Sequence, residues 1–126
     1  MPDRMVSPEL TWAWQQVAGA TDAVAVGSLA EQIGWSRQHL TRRFTSEFGL
    51  SPKLAARIAR FERAKQMLAN TPTFVSIAQI AAACGYYDQP HLNRDFAQLA
   101  GCSPTQWLAD EQLPSVQDPG EPGGQR

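Results

Sequence analysis

An all-α fold of two helix-turn-helix units joined by one long helix is what this 126-residue sequence predicts. Three observations lead there. Residues 36–48 and 88–99 each read as a short capped helix with an apolar stripe on one side. Each is preceded, across a glycine-containing turn, by another short apolar segment, which is the pattern of a helix-turn-helix. Between the two pairs, residues 53–69 keep a helical period with neither Gly nor Pro to break it. The length suits about one domain, enough to bury a core with economical elements.

The elements follow in order. Residues 1–6 form a short polar lead. Ser7-Pro8-Glu9 supplies an N-cap, a proline in the first turn and an acid near the positive helix end. A helix over 8–18 is expected to bury Leu10, Trp14 and Val17, and Gly19 ends it. Residues 21–27 connect onward. Ser28 to Glu31 has the spacing of a capping box, and Leu29, Ala30 and Ile33 supply the buried face of the helix it opens. Gly34 stops that helix, Ser36 caps the next, and Gly49 closes it. Ser51-Pro52 repeats the start signal for the long helix, whose expected buried face is Leu54, Ile58, Phe61 and Leu68. Ser76 to Gln79 is another capping box, followed by Ile80, Ala81 and Cys84, with Gly85 in the turn. Asp88 caps a helix to about Leu99, and Gly101 ends it. Ser103-Pro104 opens a last turn or two, which Trp107 and Leu108 pack down. From Asp110 the chain is polar and rich in Pro and Gly, and is expected to be disordered. The division is 8–52 for the first subdomain, 53–70 for the linker helix, 71–109 for the second and 110–126 for the tail.

The two halves are copies of one unit. His39-Leu40 matches His91-Leu92, Arg42 matches Arg94, Phe44 matches Phe96, and Gly49 and Ser51-Pro52 match Gly101 and Ser103-Pro104, all at an offset of 52. Before the turn the offset is 51, pairing Leu29-Ala30 with Ile80-Ala81 and Gly34 with Gly85. The second turn is therefore one residue longer.

On a helical wheel Leu40, Phe44 and Phe48 share one side, while Gln38, Arg42 and Thr45 point away, with Thr41 at the border. Such an outward face suits hydrogen bonding to base edges in a DNA major groove. Taken alone it equally suits an ordinary solvated surface. A solvated face gives no reason for the outward arginine to recur at Arg94, and the repeat decides the matter. A rigid linker can hold both second helices on one side, and successive major grooves on one face of DNA lie about 34 Å apart.

Charge supports this reading locally. The formal net charge is −1, but residues 28–70 carry eight Lys/Arg against three acids, and residues 71–126 carry two Arg against six acids. The local field governs binding to a polyanion, so the first half is the expected footprint. Cys84 and Cys102 lack metal spacing and are read as reduced thiols. His39 and His91 have no ligand partners at coordinating distance in sequence and are read as packing or phosphate-contacting groups. Trp12, Trp14, Trp35, Tyr86, Tyr87 and Trp107 are expected to pack the core and turns. Neither a signal peptide nor a run of about 20 apolar residues is evident, so a cytoplasmic protein without membrane association is expected. The residues offer no nucleophile–base pair, paired carboxylates, phosphate loop or metal set, hence no enzyme and no cofactor. The competing reading is a helical protein-interaction domain without DNA binding.

The strings GWSRQHLTRRFTSEFGLSPKL and CGYYDQPHLNRDFAQLAGCSP carry a family resemblance. The second has Gly, two aromatics, an acid, His-Leu-x-Arg-x-Phe and Gly-x-Ser-Pro. They resemble the C-terminal DNA-binding domain of AraC/XylS-type bacterial transcription regulators, over about residues 8–109. The resemblance implies about seven helices with homeodomain-like helix-turn-helix units, binding to double-stranded promoter DNA, and transcription activated or repressed. It implies base contacts from Gln38, Thr41 and Arg42, the face the wheel selects on its own, with Gln89, Pro90, Asn93 and Arg94 as second-unit counterparts. Ser36, Arg37, His39 and Arg43 flank the first face and are better placed for phosphates, as Lys53, Arg57 and Arg60 are if the linker's flank lines the DNA; a solvated flank is the alternative. Pro90 stands where Gln38 has its match and offers apolar contact only. Asp88 and Asp95 would repel phosphates unless Asp88 serves as a cap, which leaves Asp95 without a role. The second unit is therefore expected to be the weaker reader. Regulators of this kind carry a sensor or dimerisation domain ahead of this one and can engage RNA polymerase. The short lead and polar tail favour a C-terminal piece of a longer regulator over a stand-alone one.

Overall fold

The computed structural model describes residues 6–20, 24–72 and 74–112. Seven helices make up the described residues: α1 (Pro8–Gly19), α2 (Val26–Ile33), α3 (Arg37–Phe48), α4 (Pro52–Asn70), α5 (Ile77–Ala83), α6 (Gln89–Leu99) and α7 (Pro104–Gln112). Residues 1–5 of the expected lead, part of the first connection and nearly all of the expected tail fall outside the described residues.

Capping chemistry sets most of the boundaries. Backbone N–H groups in the first turn donate to Ser7 (3.2 Å), Ser36 (3.0 Å), Ser51 (3.1 Å), Asp88 (2.9 Å) and Ser103 (3.0 Å), each the residue ahead of its helix. Ser76 and Gln79 form a reciprocal capping box. The box expected at Ser28 is not formed. The helix begins three residues earlier, with Ala25 at the cap position and no side-chain cap. Val26 is buried at 7% exposure, and placing it in the first turn delivers it to the core, an apolar gain that outweighs one side-chain cap. At the other end α7 runs to Gln112, past the boundary expected at Asp110.

Two cores form, one on each side of α4. The first gathers Leu10, Ala13 and Val17 of α1, Val26 and Ala30 of α2, Leu40 and Phe44 of α3, and Ala55 of α4. The second gathers Phe61, Ala64 and Leu68 of α4 with Ile80, Ala81, Cys84, Tyr86, Leu92 and Phe96. The linker helix thus serves both, and its buried stripe differs from the expected one. Ala55, Phe61, Ala64 and Leu68 are buried, whereas Leu54 and Ile58 stand 39% and 36% exposed. Wheel reasoning favours the larger aliphatics, but α1 lies along α4, where close helix approach puts Ala55 in the first core, while Ala64 packs on the other side in the second. Trp14, 40% exposed, closes the first core from outside, its ring 6.0 Å from Phe44 and 4.8 Å from Phe48. Tyr87, expected to pack, is 91% exposed.

Candidate nucleic-acid interface

The two turns are built alike. Gly34 and Gly85 take φ of 79° and 89°, left-handed values that exclude most side chains. The following aromatic amide bonds back into the first helix in both, Trp35 N–H to Ala30 O and Tyr86 N–H to Ala81 O, each at 2.9 Å. The histidine at the start of the second helix then packs edge-on against that aromatic: Trp35–His39 at 4.6 Å and Tyr86–His91 at 4.8 Å. Neither aromatic–histidine pair was anticipated from the sequence. Its signal was available, because the offset of 51 that pairs Gly34 with Gly85 also pairs Trp35 with Tyr86.

On α3, Leu40 and Phe44 are fully buried while Gln38, Arg42 and Thr45 are exposed and Thr41 is half-buried. An open groove along this helix is lined by Arg37, Gln38, Thr41, Arg42, Thr45 and Ser46. The Arg42 guanidinium donates to His39 Nδ1 at 3.1 Å, so the histidine packed on Trp35 also braces the arginine. Arg43 lies over the Trp35 ring, 5.2 Å from its centroid, with its charge exposed. Ser36 is consumed as the helix cap by its side chain. Lys53 is exposed at the start of α4.

On α6, Leu92 and Phe96 are buried while Pro90, Asn93 and Arg94 are exposed and Gln89 is half-buried. His91 differs from its counterpart: its Nδ1 accepts from the Tyr87 backbone N–H at 3.2 Å, leaving Arg94 without the brace that Arg42 has from His39. Asp88 accepts from the His91 backbone N–H, so one of the two troublesome acids is a cap.

The other, Asp95, corrects both the acid's expected flanking position and the expected role of two linker arginines. It is 4% exposed. Its Oδ1 accepts from Arg57 Nε at 2.9 Å and its Oδ2 from the Tyr86 hydroxyl at 3.1 Å, with Arg60 3.9 Å from Oδ2. Arg57 also donates to Gln98 Oε1, and Arg60 lies 4.8 Å over the Tyr86 ring. Arg57 and Arg60, expected at phosphates, are therefore turned onto the second unit. A buried carboxylate without partners is costly, and the nearest cations are drawn to it. Burial, and then the adjacent Asp95 carboxylate, push the Tyr86 hydroxyl well above the usual tyrosine value. The third arginine, Arg63, donates to the carbonyls of Ala18 (3.0 Å) and Ala20 at the end of α1, fastening the linker to the first unit. Sequence reasoning missed this role. The wheel did hold a hint for Asp95, which sits one position before buried Phe96 and three after buried Leu92.

Cys84 and Cys102 are free thiols, and burial pushes Cys84 above the usual thiol value. Among the described residues no helix is long and apolar enough to cross a membrane, and no group of three or more His, Cys, Asp or Glu could hold a metal.

Two glycine-turned helix pairs, each presenting a capped helix with an outward arginine, define a double helix-turn-helix module of the DNA-binding class. A family model described as a helix-turn-helix domain matches residues 29–110. The HTH-type transcriptional regulator Rv1931c of Mycobacterium tuberculosis is 33% identical over 88 residues, 70% of this chain and 33% of that protein. The C-terminal domain of AraT, a response regulator from Geobacillus stearothermophilus, superposes with a TM-score of 0.78 at 26% identity, covering 91% of this chain and 95% of that one. An AraC-type transcriptional regulator structure from Chromobacterium violaceum gives a TM-score of 0.72 at 30% identity, covering 85% and 95%. The chain belongs to the AraC-type helix-turn-helix family of transcriptional regulators. It spans between 11% and 33% of the length of the curated relatives it matches.

Proposed function

We propose that this chain binds double-stranded promoter DNA, placing α3 and α6 in successive major grooves, as the DNA-binding part of a bacterial regulator acting in the cytoplasm. The observation that carries this reading is the recurrence of an outward arginine, Arg42 and Arg94, on two capped helices held by one linker helix. Gln38, Thr41 and Arg42 read bases in the first groove, Arg to guanine and Gln to adenine. Arg37, Arg43 and Lys53 meet phosphates. Gln89, Pro90, Asn93 and Arg94 face the second groove, where Arg94 carries most of the affinity. A sensor or dimerisation domain supplied by the rest of a longer regulator, and RNA polymerase, are the further partners this reading implies.

The test is fluorescence anisotropy on two-half-site DNA chosen by selection from random sequence, repeated in rising salt. Affinity should fall steeply with salt, by about 0.9 in the logarithmic slope for each phosphate neutralised. Salt-insensitive binding without sequence preference would favour the helical protein-interaction reading instead.

A further inference from the structure

We infer that Asp95 is a positioning residue that fixes the second reading helix to the linker and thereby sets the half-site spacing the chain accepts. The inference rests on the two-groove reading above and adds what holds the two readers in register.

Asp95 is the buried charged residue among the described ones, and it lies on α6, the helix assigned to the second groove. Three elements meet at its carboxylate. From the linker, Arg57 forks onto α6, with Nε on Asp95 and a terminal nitrogen on Gln98, one turn further along. Fastening two residues three positions apart resists both rotation and sliding of α6 against α4. From the turn, the Tyr86 hydroxyl takes the second carboxylate oxygen, and Arg60 closes over the Tyr86 ring. The linker is tied in turn to the first unit through Arg63 and the end of α1. Apolar packing of Leu92 and Phe96 holds α6 in place but, being non-directional, tolerates small rotations. A directional ion pair to a buried carboxylate does not, because leaving that carboxylate unpaired is costly. The first unit has no such clamp: the position matching Asp95 is Arg43, which faces outward over Trp35.

The clamp can be read without DNA. Spin labels at exposed Thr45→Cys and Ala97→Cys, in a Cys102→Ser background, report the distance between α3 and α6. The distribution should be narrow in the parent and clearly wider in Asp95→Asn and in Arg57→Met. Binding is then compared on sites whose half-sites are moved by one or two base pairs. The parent should prefer one spacing by about tenfold, and both variants should flatten that preference while leaving binding to the first half-site alone unchanged. Arg57→Met guards against a folding defect of Asp95→Asn and also reports a phosphate role, since losing a phosphate contact would lower the salt slope by about one. Unchanged distance distributions, an unchanged spacing profile, or loss of the second half-site's contribution at every spacing would each overturn the clamp. A parent that shows no gain from a second half-site would instead overturn the two-groove reading, while the distance distributions still judge the clamp.

Discussion

The first and second helix-turn-helix units share a backbone and differ in how they spend their charges. At equivalent positions Arg43 lies over Trp35 with its charge exposed, whereas Asp95 is buried beneath Tyr86 and two linker arginines. At another pair, His39 braces Arg42 while His91 holds the Tyr87 backbone. At a third, Gln38 faces Pro90. In each comparison the first unit keeps hydrogen-bonding capacity outward, whereas the second turns it inward or, at Pro90, lacks it. One duplicated framework therefore supports two arrangements, a helix with spare donors on its outer face and a helix tied to the linker through its acid.

The largest expected effect tests whether the units stand on separate cores. Phe44→Ala and Phe96→Ala each empty a fully buried site and should cost about 3–5 kcal/mol in urea unfolding. Because Phe44 and Phe96 belong to different clusters, the two variants should lose different parts of the amide protection pattern in hydrogen exchange. Loss of the same amides in both would show a single cooperative core and weaken the comparison.

Base reading comes next. Arg42→Ala should lower affinity for a selected site by about 1–3 kcal/mol, and Arg94→Ala by less, measured by anisotropy at fixed salt. Equal losses would break the asymmetry. His39→Ala should cost about 0.5–1.5 kcal/mol of discrimination at the base read by Arg42, because one orienting hydrogen bond goes. His91→Ala should leave base discrimination alone and lower thermal stability instead. Pro90→Gln should sharpen the comparison from the other side, by giving the second unit base preference at a place that has apolar contact only.

The smallest effect is alkaline. The Tyr86 hydroxyl is pushed up in the folded chain, so the folded state holds that proton more tightly than the unfolded one. Its stabilising contribution is complete below about pH 10, where an unfolded tyrosine titrates, and is lost as pH rises further. Urea midpoints should therefore fall more steeply between about pH 10 and 12 in the parent than in Tyr86→Phe. Parallel curves would remove Tyr86 from the buried cluster's energetics.

Local signals carried most of the fold. Ser7, Ser36, Ser51, Ser76 and Asp88 each cap the helix they precede, and the offset of 52 already paired α3 with α6. The outward placement of Gln38, Arg42, Pro90 and Arg94 follows from a 3.6-residue period and needs no tertiary knowledge. The departures are where a side chain had a choice of partner. Ser28 offered a cap that the burial of Val26 overrode. Leu54 and Ile58 looked like core, but α1 packs on the Ala55 side of α4.

What the sequence determined alone, then, is what short-range chemistry determines: where helices begin and end, which face is apolar, and that one unit occurs twice. What only the tertiary structure decided is the fate of the charges. Arg57, Arg60 and Arg63 form one basic run in sequence, yet the first two close on a buried carboxylate 38 and 35 positions away and the third caps α1, far upstream. An ionic group's role depends on which opposite charge or carbonyl shares its low-dielectric surroundings, and that is set only when α6 and α1 have packed against the linker.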